Sequence, residues 1–301
     1  MIKRIVNIFF ALLAFYGVNI YATPTEKPIA IIIPSFNNED WYEKNLNSVL
    51  QQNYDNYRII YINDCSSDRT GQVVEETVKK CTDDYQITFF DCPFNEDIPT
   101  STQIFGELIN KKNCFFTLIN NRHRHYGALP NLYRAIHSCN NDEIVVLLDG
   151  DDWLFDNDVL QKINTFYASE NIWLTHGRFI EYPNNNSSWS QDFSNEVIRQ
   201  NAFRQNRIPT HLKTFYSCLF KKIRLEDLLY NGIFCPMTGD MAMMFPMIEM
   251  AGERHAYSHE INYVYNVANP INDNKINPQL QRDMDAYIRT LPPYHRIESL
   301  Q

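Results

Sequence analysis

Ile144-Val145-Val146-Leu147-Leu148 runs without interruption into Asp149-Gly150-Asp151-Asp152. Five consecutive apolar residues, the first three β-branched, fit a short strand (residues 143–148) buried on both faces. Strands of that kind belong to parallel sheets covered by helices. In open α/β sheets the binding edge lies beyond the carboxyl ends of the strands, so this run delivers three carboxylates to that edge.

The chain upstream repeats the same alternation. Residues 29–33 form a β-branched run stopped by Pro34. Residues 41–52 read as a helix with Leu46, Val49 and Leu50 on one face. Residues 58–62 read as a second strand that ends in Asn63-Asp64, and Asp68 is placed to cap a helix with Val73, Val74 and Val78 inside. Strands at 87–90 and 114–119 and a helix at 128–138 complete the set. Strands alternating with helices imply βαβ units, hence an α/β fold with a mostly parallel, Rossmann-like sheet and helices on both faces.

Downstream of Asp152 the pattern is less regular. Val159, Leu160, Ile163, Phe166 and Tyr167 define an amphipathic helix. A strand at 172–174, a polar loop at 184–190 and a helix at 240–250 follow. The stretch after Asn269 is polar and Pro-containing and reads as a tail or wrapping arm. The division expected is residues 28–155, the regular half, residues 156–270, the less regular half, and 271–301 as a C-terminal tail.

An Asp-x-Asp spacing is weak by itself, because it occurs three times: at Asp149/Asp151, Asp156/Asp158 and Asp283/Asp285. Only the first follows an apolar strand. Adjacent carboxylates repel one another, and a bound cation relieves that repulsion. Hard oxygen ligands suit Mn²⁺ or Mg²⁺, which keep positions open for phosphate oxygens.

Composition narrows the partners. The chain has 301 residues, 44% of them hydrophobic and 14% aromatic, with a formal net charge of −9. It contains no Lys/Arg tract, so phosphate-driven nucleic-acid binding is not expected. Lys3 and Arg4 precede an apolar run, and residues 1–22 read as a secretory signal with Ala22 at the cleavage edge, or as an uncleaved anchor. The first places the domain on the secretory route, in an organelle lumen or outside the cytoplasm. The second associates it with a membrane through residues 5–22. Seven Cys show no zinc-finger spacing; an exported location allows a disulfide, and buried thiols are the alternative. Asn185 and Asn186 head N-x-Ser sequons.

Four ordered segments carry a resemblance. Residues 29–38, the apolar strand with Pro34-Ser35-Phe36-Asn37-Asn38, resemble the opening strand and loop of family 2 glycosyltransferases with the GT-A fold. Residues 63–71 resemble that family's second-strand signature, and Gly127 to Asn131 its Gly-x-x-x-Asn segment, without the flanking Arg usual there. Asp149–Asp152 is similar to its metal-binding D-x-D.

The resemblance implies an inverting transfer of a sugar from a UDP- or GDP-sugar, UDP above all, to a hydroxyl of a carbohydrate, lipid or protein. Pro34, Ser35, Phe36 and Asp64 would hold the nucleotide base, with Asp64 accepting from a base N–H. Asn131 would contact ribose or diphosphate, and Asp149, with Gly150 beside it, would orient sugar hydroxyls. Asp151 and Asp149 would hold Mn²⁺ or Mg²⁺, with His211 as a further ligand. Asp240, in Thr238-Gly239-Asp240 at a helix start, is the implied catalytic base. Gly239 departs from the family's acidic pair, and Asp227 is a second choice. Trp153, Trp173 and Trp189 are candidates for stacking on an acceptor sugar, whereas Met241, Met243, Met244 and Met247 read as helix packing. A non-catalytic nucleotide-sugar- or carbohydrate-binding protein of the same fold is the alternative. A nucleotidyltransferase fits less well, because residues 34–41 lack a Gly- and Lys/Arg-rich loop.

Overall fold

The computed structural model describes residues 25–91, 98–111, 114–168 and 171–300. The amino-terminal signal or anchor reading falls on residues outside these. The first half supplies β1 (Ile29–Ser35), α1 (Tyr42–Leu50), β2 (Tyr57–Asn63), α2 (Thr70–Cys81), β3 (Tyr85–Phe90), α3 (Ile98–Asn110), β4 (Phe116–Asn121), α4 (Ala128–Ser138) and β5 (Ile144–Leu147). These strands pair in parallel in the order β3-β4-β2-β1-β5. Odd and even residues of β1 enter two different cores, as expected of a strand covered on both sides. Ile29, Ile31 and Ile33 pack with Leu46, Val49, Val74 and Val78 of α1 and α2. Ala30 and Ile32 face Phe105 of α3 and Leu132 and Ile136 of α4.

The remaining elements are β6 (Trp153–Leu154), α5 (Val159–Ala168), β7 (Leu174–Tyr182), α6 (Asn195–Gln200), β8 (Lys213–Tyr216), α7 (Ser217–Phe220), the small hairpin β9 (Leu229–Tyr230) and β10 (Ile233–Phe234), α8 (Gly239–Ala251), β11 (His255–Asn266), α9 (Asp273–Ile276) and α10 (Pro278–Thr290). They continue the same sheet in the order β5-β8-β7-β11-β6. β8 is antiparallel to both β5 and β7, β7 and β11 are parallel, and β6 is antiparallel to β11. The two halves read from the sequence therefore share one sheet, joined where Leu147 pairs with Lys213.

Three differences from the sequence reading have physical causes. Helix α3 was not expected, because the Thr100-Ser101-Thr102 cluster has poor helix propensity and hides the Ser101, Phe105, Ile109 spacing that faces inward. The strand expected at 172–174 instead spans Leu174–Tyr182. Residues 271–301 are not only a polar tail: Met284 and Ile288 of α10 are buried, and Ile288 joins the core that contains α8. Helix α8 is buried on every side, which accounts for its apolar residues all round and places its methionines in the core, as expected.

No helix among the described residues is long and apolar enough to cross a membrane. Cys65, Cys81, Cys114, Cys139, Cys218 and Cys235 are free thiols.

Candidate active site

The carboxylate turn is held from three sides. The amide of Gly150 donates to the carbonyl of Pro34 at 3.1 Å. Asn45 of α1, fully buried, donates its side-chain amide to the carbonyls of Asp149 and Asp152 at 3.0 and 2.8 Å. Gly150 is packed so closely that a β-carbon there would lie 2.5 Å from the Ser35 hydroxyl and 2.8 Å from the Asn38 amide. The third side is β11, through Asp152. Its carboxylate accepts from the Tyr263 hydroxyl at 2.6 Å and from the Asn266 backbone N–H at 2.6 Å. Asp152 has no exposure, and burial first, then Asp151 and Asp149, push its carboxyl well above the ordinary range. It is a latch between β5 and β11.

Asp149 and Asp151 are half-buried, unlike Asp152. Asp151 accepts from the Asn269 amide at 2.7 Å. Asp149 has a long contact of 3.4 Å with the Tyr263 hydroxyl. Burial raises the Asp149 carboxyl; the charge of Lys213 lowers it, and that of Asp240 raises it again. A divalent cation suits a carboxylate in this setting, since it replaces a proton that burial and the Asp240 charge otherwise favour.

His211 stacks on Tyr263, with ring centroids 4.3 Å apart and planes 14° apart. Burial, and then Lys213, hold its imidazole well below its usual titration range, hence neutral and able to offer a lone pair. The expected ion cage is nonetheless not closed by protein alone. The ligand atoms of Asp149, Asp151 and His211 do not all come within 4.8 Å of one another.

Asp240 sits in the first turn of α8, with a side chain 42% exposed, and the ammonium of Lys213 lies 3.0 Å from its Oδ2. Lys213 itself is buried in β8. Gly239 brings this helix start against α4, where an added β-carbon would lie 3.0 Å from Leu129. Lys213 was missed by the sequence reading. Its only signal is a lysine between Leu212 and Thr214 in a stretch that turns out to be a strand.

The residues expected at the nucleotide form a second cluster. Asp64 is buried, and its carboxylate accepts from the amides of Tyr126 (3.0 Å) and Gly127 (2.7 Å) and from the Asn121 side chain (2.6 Å). The His125 ring nitrogen Nδ1 lies 2.8 Å from it. Burial raises the Asp64 carboxyl, but these donors outweigh burial and hold it below the ordinary range. Phe36 stacks on His125 at 4.1 Å between centroids.

Asn131 is fully buried, accepting from Asn121 at 2.9 Å and donating to the Gly127 carbonyl at 2.9 Å. Ser35 is buried, and its hydroxyl accepts from Tyr61 (2.8 Å) and Asn38 (3.0 Å). Pro34 is buried in the same strand end. Asp64, Asn131, Pro34 and Ser35 thus shape the 125–127 turn and the strand end, and Phe36 is the member of this set left half-exposed. Asn121 and His125 are additions that the sequence reading did not single out.

The remaining candidates separate cleanly. Asp227 is buried and paired with Arg224 at 2.7 Å, a structural role. Trp173 is buried against Arg254, and Trp153 packs on Tyr182, whereas Trp189 is 49% exposed. The Asp156 carboxylate serves the lead into α5, accepting from the Asp158 amide at 2.9 Å and from Lys162 at 2.6 Å.

With this geometry in place, comparison with known proteins gives consistent results. Residues 30–101 match the family model described as Glycosyl transferase family 2. Among solved structures, S. aureus TarS 1-349 superposes with a TM-score of 0.54 at 14% identity, covering 87% of this chain and 64% of that one. The same protein in complex with UDP-GlcNAc gives 0.52 at 13% identity, covering 87% and 65%. The mannosyltransferase PcManGT from Pyrobaculum calidifontis, in complex with GDP-Man and Mn²⁺, gives 0.48 at 17% identity, covering 89% and 65%. The chain thus spans a little under two thirds of TarS 1-349 and of PcManGT, and 39% of the longer TarS chain. No protein of curated function matches it. The resemblance to family 2 glycosyltransferases stands, and the fold is the GT-A fold expected of it.

Proposed function

We propose that this chain, with a GT-A fold and a family 2 donor half, is an inverting, divalent-metal-dependent glycosyltransferase. It moves a sugar from a nucleotide-sugar, a UDP-sugar by analogy with the UDP-GlcNAc complex of TarS, to a hydroxyl acceptor. The observation that carries the reading is the Lys213–Asp240 pair, 3.0 Å apart, with Lys213 on the strand paired with β5, the strand that leads into Asp149.

Inversion needs a base on the face of the sugar opposite the leaving diphosphate. Asp240 offers a partly exposed carboxylate at a helix start, and Lys213 fixes its rotamer. Its role is to take the acceptor hydroxyl's proton as the new glycosidic bond forms. Asp149 is free to accept from donor hydroxyls. Phe36 and the 125–127 turn would face the base, and His125 would have to yield its place on Phe36 for a base to stack there. Asp151 and Asp149, with His211 nearby, would hold Mn²⁺ or Mg²⁺, and the ion would stabilise charge on the departing diphosphate.

The test is a panel of UDP-, GDP- and dTDP-sugars, scored for donor consumption with Mn²⁺ and with chelator. Consumption of a UDP-sugar that chelator abolishes is the expected result. Turnover indifferent to chelator, or none with any donor, overturns the proposal. Tight donor binding without turnover in the presence of acceptors selects the non-catalytic reading instead.

A further inference from the structure

A second constellation lies away from the carboxylate turn, on the parallel pair β7 and β11. Their register sets Leu174 opposite His255 and His176 opposite Tyr257. Residues two apart on a strand share a face, so His176 and His255 become diagonal neighbours. Their rings lie 5.8 Å apart between centroids with planes 24° apart. Asp192, in the loop before α6, reaches over the same spot. One ligand atom from each of His176, Asp192 and His255 lies within 4.8 Å of the others, which no other three His, Cys, Asp or Glu among the described residues achieve.

Two observations point to a ligand here. The first is His176, which is 1% exposed and whose two ring nitrogens have no hydrogen-bond partner among the described residues. A buried polar atom left unpaired costs about 1–3 kcal/mol, so this arrangement calls for an occupant. The second is the orientation of His255. Its Nδ1 is 2.6 Å from the Gly252 carbonyl, so Nδ1 carries the proton and donates. Its Nε2 faces the Asp192 carboxylate, 3.8 Å away. A carboxylate facing that nitrogen calls for a positive charge between them, a proton on Nε2 or a metal ion, and beside the unpartnered nitrogens of His176 a metal ion serves both imidazoles. A histidine whose second nitrogen donates to a backbone carbonyl is also how metal-ligating imidazoles are commonly oriented.

We infer that His176, His255 and Asp192 form a site for one Zn²⁺ ion that ties the Asp192 loop to β7 and β11. Two imidazoles and one carboxylate suit zinc, with water completing four-coordination. Phe193, Phe203 and Tyr257 wall the site on the protein side. The Asp192 side chain is 52% exposed, which leaves the ion an entry path from solvent. The site is independent of the proposed sugar transfer and of the cation expected at Asp149 and Asp151.

The experiment is zinc binding by the metal-stripped full chain, followed with a competing metallochromic indicator and by thermal melting. The expected result is one Zn²⁺ per chain and a zinc-dependent rise in melting temperature. Asp192→Ala, at an exposed position, should keep the fold and weaken binding by roughly tenfold or more. His255→Gln should do the same, while Asp151→Asn should bind zinc as the parent does. Absence of zinc binding in the parent, or equal binding by the parent and Asp192→Ala, overturns the site and leaves a His255–Asp192 ion pair in an aromatic box. Binding lost in Asp151→Asn but kept in Asp192→Ala overturns it in favour of the carboxylate turn.

Discussion

The ammonium of Lys213 stands 3.0 Å from Oδ2 of Asp240, and the lysine is 5% exposed where its partner is 42% exposed. A buried cation beside a solvent-facing carboxylate fixes the carboxylate in place while leaving one side open. The same cation also acts on Asp149, which Asp240 repels. Lys213 is therefore a common counter-charge for Asp149 and Asp240, and it sits on β8, the strand that joins β5 to β7.

If Asp240 is the base, Asp240→Asn should lower sugar transfer by about 10²–10⁴-fold, the usual range for losing general base catalysis. Donor affinity should change little, because the carboxamide still meets Lys213. Lys213→Met should reduce turnover less than Asp240→Asn does, and should also weaken donor binding, since Asp149 and Asp240 then repel without a shared cation. Steady-state kinetics with donor and acceptor varied separately make the distinction. Equal kcat for Asp240→Asn and the parent would remove Asp240 from the chemistry.

Gly150→Ala probes the placement of the carboxylate turn. The added methyl meets the Ser35 side chain at 2.5 Å and the Asn38 amide at 2.8 Å. Ser35 is itself held by Tyr61 and Asn38, so the turn has to move away from β1. Overpacking of this kind costs about 1–3 kcal/mol. Activity should fall further than stability does, because Asp149 and Asp151 move with the backbone. Urea unfolding alongside turnover measures both, and a fully active Gly150→Ala would show that the turn tolerates displacement.

The first half was legible because β1 and β5 are covered on both faces and so appear as apolar runs, at residues 29–33 and 144–148. The second half hid its strands behind polar residues. Thr175 and His176 on β7, Lys213 and Thr214 on β8, and Asn262 and Asn266 on β11 are all buried. Each finds a partner that only the fold supplies, or in the case of His176 awaits one. Asp152 makes the same point: its two partners, Tyr263 and Asn266, come from a strand more than a hundred residues away. The sequence could place Asp152 at the strand end but not show that it latches the sheet.

Asp64 should make stability depend on acid. Its carboxyl is held below the ordinary value of 3.8 in the folded chain, despite burial, by donors from His125, Tyr126 and Asn121. A depressed carboxyl contributes stability that is fully present above the unfolded value and is lost as pH falls through the folded one. Asp64→Asn should thus be less stable than the parent by about 2 kcal/mol at pH 7, the scale of a hydrogen-bonded charge. The gap should narrow below about pH 4. Urea denaturation of both proteins across pH 3–7 checks the sign, and a gap that widens in acid contradicts the assignment.

The C-terminal segment should depend on one buried ion pair. Glu249 of α8 has no exposure and receives two hydrogen bonds from Arg204, at 2.7 and 3.0 Å. Arg204 also donates to the Ile288 carbonyl of α10 at 2.6 Å, and the Tyr294 amide donates to Glu249 at 2.9 Å. Removing one partner leaves the other charge buried and uncompensated, so Arg204→Ala should cost about 3–5 kcal/mol. Replacing both, as Arg204→Met with Glu249→Leu, should recover much of that loss, because it removes two desolvated charges together. Chemical denaturation of the single and double variants measures the coupling. Additive losses would show that Arg204 and Glu249 act separately. A strongly non-additive result, with protease sensitivity appearing after residue 270 only in the single variants, is the outcome expected if this pair docks α10 onto α8.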